Sequence, residues 1–319
     1  MSWKRTLFFL LVVVGLAGFY FIKIQGQHSS ENSFSFATEA AKTRILALDA
    51  KEKVRRMTVR DFLKDTELSF SKSDDQTWRI TQPVDYPAES IIVDGLVSLL
   101  KLAPQIRPLS LSGLDPHEFG FDTPQLSICI ATDLKPEGRC LIVGFDAVVT
   151  QGAYAKWNTE SKYFLVDSSF LSAFDKTLYS VRKKQIFTLL EKEISLIQFK
   201  SSKREFEIKH SGKNWMLEKP EKAMLGNDAI NGLFLNLSNL FVKEFLDTAR
   251  VENRKLGVKP GERIIHVVFQ DGSEQVLVQG KEAPGRDAYY ALGEDGKTVF
   301  LVSLGKLNQI EELFRKLVS

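Results

Sequence analysis

The feature that most constrains this sequence is a repeat with a fixed spacing. An interval of 137 residues separates three pairs of residues that strongly determine local structure: Trp78 and Trp215, Pro83 and Pro220, and Gly120 and Gly257. Further short motifs align between the two halves with shifts of a few residues, as insertions in loops would produce. Such a repeat is the sequence signature of a duplicated structural unit. We therefore expect two tandem homologous modules, at residues 44–180 and 181–319.

Each module is predicted to be an α+β fold with a mostly antiparallel sheet. Apolar residues alternate with others at Leu126, Ile128 and Ile130, and the second copy repeats the pattern. Runs of this kind, separated by turn residues, indicate about six strands per module, mostly joined as hairpins. Short helices over 168–174 and 307–317 are expected to close the two modules.

One main amphipathic helix is predicted in each module. In the second copy, apolar residues recur at helical spacing from Ile230 to Phe241, and the first copy carries the same stripe 137 residues earlier. We expect Asn227 and Asp228 to cap this helix, because both side chains accept hydrogen bonds from free backbone amides. The stretch from Phe241 to Phe245 continues this stripe, and we expect it to be core rather than a partner surface.

The N-terminus has the pattern of a membrane anchor. Lys4 and Arg5 precede an uncharged run at residues 6–22, about 25 Å long as a helix and just enough to cross a bilayer. We predict a transmembrane signal anchor at residues 1–25, in the inner membrane with its positive end in the cytoplasm and the body exported to the periplasm. Polar residues 26–43 suit a flexible tether. The alternatives are a cleaved signal peptide and a buried soluble helix.

The excess positive charge belongs to this N-terminal segment. The chain has 43 basic and 40 acidic side chains, and its first 29 residues hold three of the bases and no acid. Removing these three leaves 40 basic against 40 acidic side chains. A neutral body has no general attraction for the phosphates of nucleic acid or for anionic lipid. We therefore expect no nucleic-acid partner.

Residues that differ between the copies are where chemistry would be placed, since shared residues serve the fold. His117 and Glu118 resemble a pair of metal ligands, but they lie on a polar turn. The matching turn of the second copy has no corresponding ligand pair. Asp146 follows a predicted strand and fits an ordinary exit turn. The sequence has no phosphate-binding loop, nucleophile elbow or paired Cys and His. We expect no catalytic residue, no metal and no cofactor.

Two surface features keep a binding interpretation open. Trp78 and Trp215 have two interpretations. They form a stacking platform for sugars or, as we favour, they are core anchors at the same strand position of the two modules. Three basic clusters, at residues 55–56, 182–184 and 200–204, have two readings as well. They are contacts to lipid headgroups or, as we favour in a neutral body, solvated faces.

The chain has two cysteines, Cys129 and Cys140. They lie on successive strands of one predicted hairpin, with its turn near 135–138, so that they can sit opposite each other. An even count suits one disulfide outside the cytoplasm. Against a bond, adjacent strands seldom have ideal geometry, and the second copy has His266 and Glu274 in this region. The sequence leaves the bonded and the free state open.

The recurring motifs resemble a known bacterial family. In order along the chain they are Trp78-Arg79-Ile80 with Pro83, Phe119-Gly120-Phe121-Asp122 with Pro124, Trp215-Met216-Leu217 with Pro220, and Leu256-Gly257-Val258 with Pro260. This pattern, over about residues 44–305, is similar to the family called domain of unknown function 4340. The resemblance implies a membrane segment, a duplicated periplasmic body and genes often beside ABC transporters of the gliding-motility type. It brings no catalytic residues, and Lys259 replaces Asp122 in the second copy.

These features predict a non-enzymatic, membrane-anchored accessory protein of an envelope ABC-transport system. We expect the body to bind partner proteins or an exported substrate, and the resemblance implies the ABC permease or ATPase complex as the partner. The alternative from another class is a carbohydrate- or peptidoglycan-binding module. A hydrolase ranks third.

Overall fold

The computed structural model describes residues 44–49, 51–109, 115–147, 151–189, 193–211, 214–247, 256–258 and 263–318. The predicted anchor at 1–25 and tether at 26–43 lie outside these residues, as do Lys259 and Pro260. Among the residues described, no helix combines the length and the apolar character needed to span a membrane.

The chain folds into two compact units. The first unit ends at Lys176 and the second begins at Thr177, except that Tyr86–Glu89 groups with the second unit.

The first sheet has nine strands within the described ranges: β1 Val54–Asp61, β2 Thr66–Lys72, β3 Trp78–Gln82, β4 Tyr86–Pro87, β5 Arg107–Leu109, β6 Leu126–Thr132, β7 Arg139–Asp146, β8 Gly152–Trp157 and β9 Tyr163–Asp167. Their order across the sheet is β4-β3-β2-β1-β6-β7-β8-β9-β5. The helices are α1 Ser90–Leu102, α2 Ser168–Phe174 and, at the start of the second unit, α3 Leu178–Val181. A short 3₁₀ helix spans Pro116–Phe119.

The second sheet also has nine strands in the part of the chain that is described: β10 Ile194–Lys200, β11 Glu205–Ser211, β12 Asn214–Lys219, β13 Ala223–Leu225, β14 Val242–Phe245, β15 Ile264–Phe269, β16 Glu274–Ala283, β17 Ala288–Leu292 and β18 Val299–Ser303. Their order is β13-β12-β11-β10-β15-β16-β17-β18-β14. The two helices that follow are α4 Asn227–Ser238 and α5 Leu304–Lys316.

The two sheets have the same topology, strand for strand, and their long strands pair antiparallel. The landmarks of the repeat occupy matching positions: Trp78 and Trp215 on β3 and β12, Pro83 and Pro220 directly after these strands, and Gly120 and Gly257 in turns with φ of 76° and 68°. The predicted duplication and the α+β class are therefore confirmed.

The sequence underestimates the number of strands. It predicts about six per module, and the structure adds short strands such as β4, β5, β13 and β14, each of two to four residues. Such strands are too short to show an alternating pattern, and they pair at or near the sheet edges. Residues 241–245 do not continue the helix, because α4 ends at Ser238 and Val242 pairs with Val302 of β18. Val242 is buried in the core, whereas Phe241 is exposed.

The helices also differ in two details from the sequence prediction. Gly226 is the N-cap of α4 and makes no side-chain capping bond, so Asn227 and Asp228 are not the caps. They are the first residues of the helix itself. There the carboxylate of Asp228 interacts favourably with the positive end of the helix dipole. The closing helix α5 has 13 residues against the 12 of α4, so the second unit has two long helices and not one main helix.

Each main helix packs its apolar stripe against the core of its unit. The buried side chains of α1 are Val93, Leu96, Val97 and Leu100. Those of α4 include Ile230, Leu233 and Leu237, which share one cluster with the strands of the second sheet and with α5. In that cluster the ring of Phe314 from α5 lies 5.1 Å from Phe199 and 5.7 Å from Phe206. Helix α5 therefore packs on the first two strands of the second sheet.

A pair of glycines fixes a turn against each sheet. A Cβ atom at Gly144 of β7 would lie 2.0 Å from the carbonyl oxygen of Phe119, in the turn that contains Gly120. The second unit repeats this arrangement, because a Cβ atom at Gly280 would lie 2.6 Å from the carbonyl oxygen of Leu256. Only glycine lets the turn backbone approach the strand this closely.

We expect Gly144→Ala to destabilise the protein by about 1–3 kcal/mol, because the new methyl group meets a backbone carbonyl that cannot move freely. The measurement is the urea midpoint of unfolding of the purified protein. Gly95→Ala is the matched control, since this exposed position in α1 has nothing within 4 Å of the new Cβ atom. The control should be neutral or stabilising by up to about 1 kcal/mol. Equal midpoints for the two variants would contradict the close approach.

Candidate functional site

Each unit has a cavity at the same corner, between the turn that joins its first two long strands and its closing helix. The cavity of the first unit has a volume of about 220 Å³ and is lined by Lys64 from the turn and by Asp175 after α2, among others. The cavity of the second unit has a volume of about 590 Å³. Its lining, which we call the basic groove, is Lys203, Arg204, Glu205, Phe206, Lys219, Pro220, Arg315 and Val318.

An exposed ion pair lies at the corner of the first unit. The ammonium group of Lys64 donates to the carboxylate of Asp175, which follows α2, and it lies 3.8 Å from Asp61. The hydrogen bond to Asp175 raises the pKa of Lys64 above its ordinary value. The one cation of the turn that faces this cavity therefore has partners within its own unit.

Two cations of the basic groove are also held by carboxylates. Lys219 Nζ lies 2.8 Å from Glu205 and 3.6 Å from Glu207, and Arg315 Nη2 lies 2.9 Å from Glu311. The hydrogen bond to Glu205 raises the pKa of Lys219, and the one to Glu311 raises the pKa of Arg315. Both side chains therefore carry a positive charge that is matched by a carboxylate of the same unit.

The other two cations have no such partner. Lys203 and Arg204 lie in the turn between β10 and β11, where both residues are exposed. Ser201 closes the turn, because its amide donates to the Arg204 carbonyl at 2.8 Å and its hydroxyl accepts from the Arg204 amide at 3.2 Å. Neither cationic side chain has an acidic partner among the residues that the structure describes. They are free to pair with an anion from outside.

The base of the groove is apolar. Phe206 is buried against the rings of Phe199 and Phe314, and Pro220 and Val318 lie beside it with accessible surface. A ligand that carries an anionic group next to an apolar group would find both of its requirements here.

The two cysteines form a cross-strand link in the first unit. Cys129 on β6 and Cys140 on β7 are directly paired, with Cα atoms 3.9 Å apart, and a disulfide joins them. In the second unit His266 takes the place of Cys129 and pairs with Val276 on the next strand. The cysteine pair is therefore a feature of one copy only.

The second unit has a row of polar contacts where the first unit has its disulfide. His266 Nε2 lies 2.9 Å from the carboxylate of Glu274, and His266 Nδ1 lies 3.4 Å from Gln198 Oε1. Gln198 in turn donates to Glu207 at 3.0 Å. Glu207 is 8% exposed, and its pKa is lowered chiefly by the hydrogen bond from Lys209. These contacts join neighbouring strands and serve the sheet.

The tryptophans belong to the structure of each unit. Trp78 is 2% exposed and its indole N–H donates to Asp94 of α1 at 2.8 Å, so it offers no surface for a sugar. Trp215 is half-buried, with one face stacked 4.5 Å from the ring of His210 and its edge against Phe234.

The polar residues singled out in the first copy are not brought together. The imidazole of His117 contacts the carboxylate of Asp122, while Asp115 accepts from the His117 amide and caps the 3₁₀ helix that contains Glu118. Asp146 accepts from Gln125 at 2.9 Å at the end of β7. Within the described residues, no three His, Cys, Asp or Glu side chains are placed to share a metal ion.

One of the three basic clusters is not a solvated face. Arg182 is 2% exposed, its guanidinium lies 2.6 Å from Asp247, and it stacks 4.4 Å from the ring of Phe245 and 5.2 Å from that of Tyr86. Burial in this cluster raises the pKa of Tyr86 to about 12. Burial also lowers the pKa of Lys184, whose ammonium donates to three backbone carbonyls nearby. The expectation fails because the partners of Arg182 are distant in sequence.

Comparison with known families agrees with the repeat. A family described as Domain of unknown function (DUF4340) has a model that matches residues 78–258 and, a second time, residues 215–318. The chain belongs to this family. The double match confirms the resemblance that the sequence motifs indicate. No curated protein and no solved structure matches this DUF4340 chain significantly.

Sequence reasoning finds only part of the groove of this DUF4340 protein. The cluster at 200–204 is visible in the sequence, but Lys219 and Arg315 do not stand out as its neighbours. Each of these two residues lies where the second copy differs from the first. Gln82 occupies the place of Lys219 in the first copy, and Arg315 lies in the part of α5 that exceeds the length of α2.

The ion pair between the buried Arg182 and the exposed Asp247 gives a stability prediction for the second unit. We expect Asp247→Asn to lower the free energy of unfolding by about 2 kcal/mol, because it leaves the buried Arg182 charge without its partner. The control is Glu244→Gln, which breaks an exposed pair with Arg286 and should cost less than about 1 kcal/mol. Urea unfolding with an unchanged slope measures both. Similar losses in the two variants would contradict a special role for Asp247 as the partner of the buried Arg182.

Proposed function

We propose that this protein is a non-enzymatic accessory component of an envelope ABC-transport system of the gliding-motility type. An N-terminal anchor holds it in the inner membrane, and its duplicated body binds a partner protein on the extracytoplasmic side. The observation that carries this proposal is the basic groove, where Lys203 and Arg204 have no acidic partner among the described residues. The lysine on the equivalent turn of the first unit, Lys64, is paired with Asp175.

The disulfide supports an extracytoplasmic body. Disulfides such as the one between Cys129 and Cys140 form and persist in oxidising compartments and are rare in the cytoplasm. The positive flank formed by Lys4 and Arg5 agrees with this direction of export, since basic residues stay on the cytoplasmic side of a membrane segment.

The divergence of the two corners supports a binding role. In the first unit Lys64 is neutralised by Asp175, and in the second unit Lys203 and Arg204 remain available. The sheets and turns of both units are otherwise built alike, so the fold does not require the free cations. A membrane tether would add to their effect, because it raises the concentration of the body near an integral permease.

The location can be tested with a reporter fused after Ser319. We expect a reporter that works only in the periplasm to be active, and one that works only in the cytoplasm to be silent. Lys4→Glu combined with Arg5→Glu is the matched variant, and it should reduce the periplasmic signal because the orientation depends on this flank. A fully active cytoplasmic reporter on the unchanged chain would overturn the proposed topology.

The role can be tested by crosslinking in intact cells followed by purification through a tag on the N-terminus. We expect the full chain to recover an ABC permease or its ATPase. A fusion of residues 1–43 to an unrelated periplasmic domain should not, because the proposed contacts are made by the body. His117→Ala and Asp146→Ala should recover the partner as the unchanged chain does. Loss of the transport phenotype in these alanine variants, with no partner recovered by the full chain, would favour an enzyme.

A further inference from the structure

We propose that the basic groove of the second unit docks an acidic peptide segment of a protein partner, in which a carboxylate stands next to an apolar side chain. This inference rests on the proposed function, because it names the chemistry of the partner that the body would bind.

The charge of the groove selects for a localised anion. Lys203 and Arg204 stand at the rim without acidic partners among the described residues. Arginine presents several N–H donors in a planar fork that matches the two oxygens of a carboxylate, and lysine adds a second positive charge beside it. A carboxylate placed between these side chains would replace water on both of them.

The remaining cations of the groove do not add unpaired charge. Lys219 and Arg315 already hold Glu205 and Glu311, at 2.8 and 2.9 Å. Both pairs are exposed, so they restrict these two side chains only partly. Their charges are nevertheless matched within the unit, which leaves Lys203 and Arg204 as the cations for an incoming anion.

The apolar base requires more of the ligand than a negative charge. Pro220 and Val318 provide accessible carbon surface next to the buried Phe206, within a volume of about 590 Å³. This volume is within the usual range for ligand pockets and accommodates an apolar side chain with the adjoining backbone. An inorganic anion or a simple acid would leave this surface exposed to water.

The carboxylates around the groove favour a peptide over a membrane surface. Glu205 lies in the lining, and Glu311 and Glu312 flank Arg315. A bilayer rich in anionic lipid presents many phosphates at once, and these would meet the carboxylates as well as the cations. A peptide brings one or two carboxylates, which can be placed at Lys203 and Arg204 alone. The balanced charge of the body also gives no general attraction to an anionic surface.

The first unit supplies an internal control. Its corner has a lysine on the equivalent turn, but Lys64 is paired with Asp175 and the cavity is smaller, at about 220 Å³. Charge reversal at Lys64 should therefore leave peptide binding unchanged. The same change in the second unit should abolish it.

The experiment uses the full chain in neutral nanodiscs and an array of fluorescent octapeptides. Each peptide has one or two glutamates at varied distance from a leucine or phenylalanine, and each has a partner in which glutamine replaces glutamate. Anisotropy at about 50 mM salt avoids strong screening of the charges. We expect at least one glutamate peptide to bind about tenfold or more tightly than its glutamine partner. We expect the combination of Lys203→Glu and Arg204→Glu to remove this difference.

Two further variants separate the proposal from loss of folding. Lys64→Glu should bind like the unchanged chain, and Val318→Asp should weaken binding of the apolar peptides while all variants keep the unfolding midpoint of the parent. Equal binding of glutamate and glutamine peptides across the array would overturn the proposal. The proposal would also be overturned if the variant with Lys203→Glu and Arg204→Glu kept the full difference in binding between glutamate and glutamine peptides.

The alternative occupant and the proposed function have separate readouts. If phosphatidylglycerol vesicles bind the nanodisc-held protein through Lys203 and Arg204 while no peptide does, the groove is a lipid site and the inference is wrong. If crosslinking recovers the permease equally well with the double variant, the groove inference fails and the proposed function stands. If peptides bind as expected but crosslinking recovers neither transporter component, the proposed function fails and the groove stands.

Discussion

The close approach of one turn to one strand is the constraint on which each unit depends. Gly144 and Gly280 have no Cβ atom, and this allows the carbonyl oxygens of Phe119 and Leu256 to lie against the strand backbone. In the second unit, Leu256 joins a cluster with Val278, whereas the neighbouring Leu277 belongs to the cluster of the main helix. Successive strand residues point to opposite faces. The docked turn therefore covers the face of the sheet that the helix leaves open, and the sheet has apolar cover on both sides there.

Most of this architecture could be predicted because local sequence patterns determine it and because the same patterns occur in both copies. The long strands and the main helices have the periodicities of 2 and 3.6 residues, and the constant interval allows each assignment to be checked in the other copy. The parts that fail lack such a pattern. Strand β14 follows α4 so closely that Val242 and Phe245 continue its apolar stripe in sequence. Only the pairing of Val242 with Val302, sixty residues later, decides that this segment is a strand.

The charged residues show the same division between local and distant information. The cluster at 200–204 is exposed as expected, because its cations lie in one turn. Arg182 has an equally basic sequence context but is buried, since it finds Asp247 and Phe245 more than sixty residues away. The basic groove likewise needs Arg315 from the last helix beside Lys203. Whether a cation is free, paired or buried depends on such contacts, and composition alone does not reveal them.

Duplication explains how one corner of the fold can change while the rest does not. The glycine junctions, the main helices and the strand order occur in both units, so they supply the stability of each unit and leave the corner free to vary. In the first copy Lys64 is paired with Asp175. In the second copy the longer helix α5 brings its own carboxylates for Arg315, and within the described part of the chain no acid pairs with Lys203 or Arg204. Cations such as Lys203 and Arg204, without an acidic partner among the described residues, do not stabilise the fold. The corner of the second unit is therefore the place where this scaffold has residues available for a function.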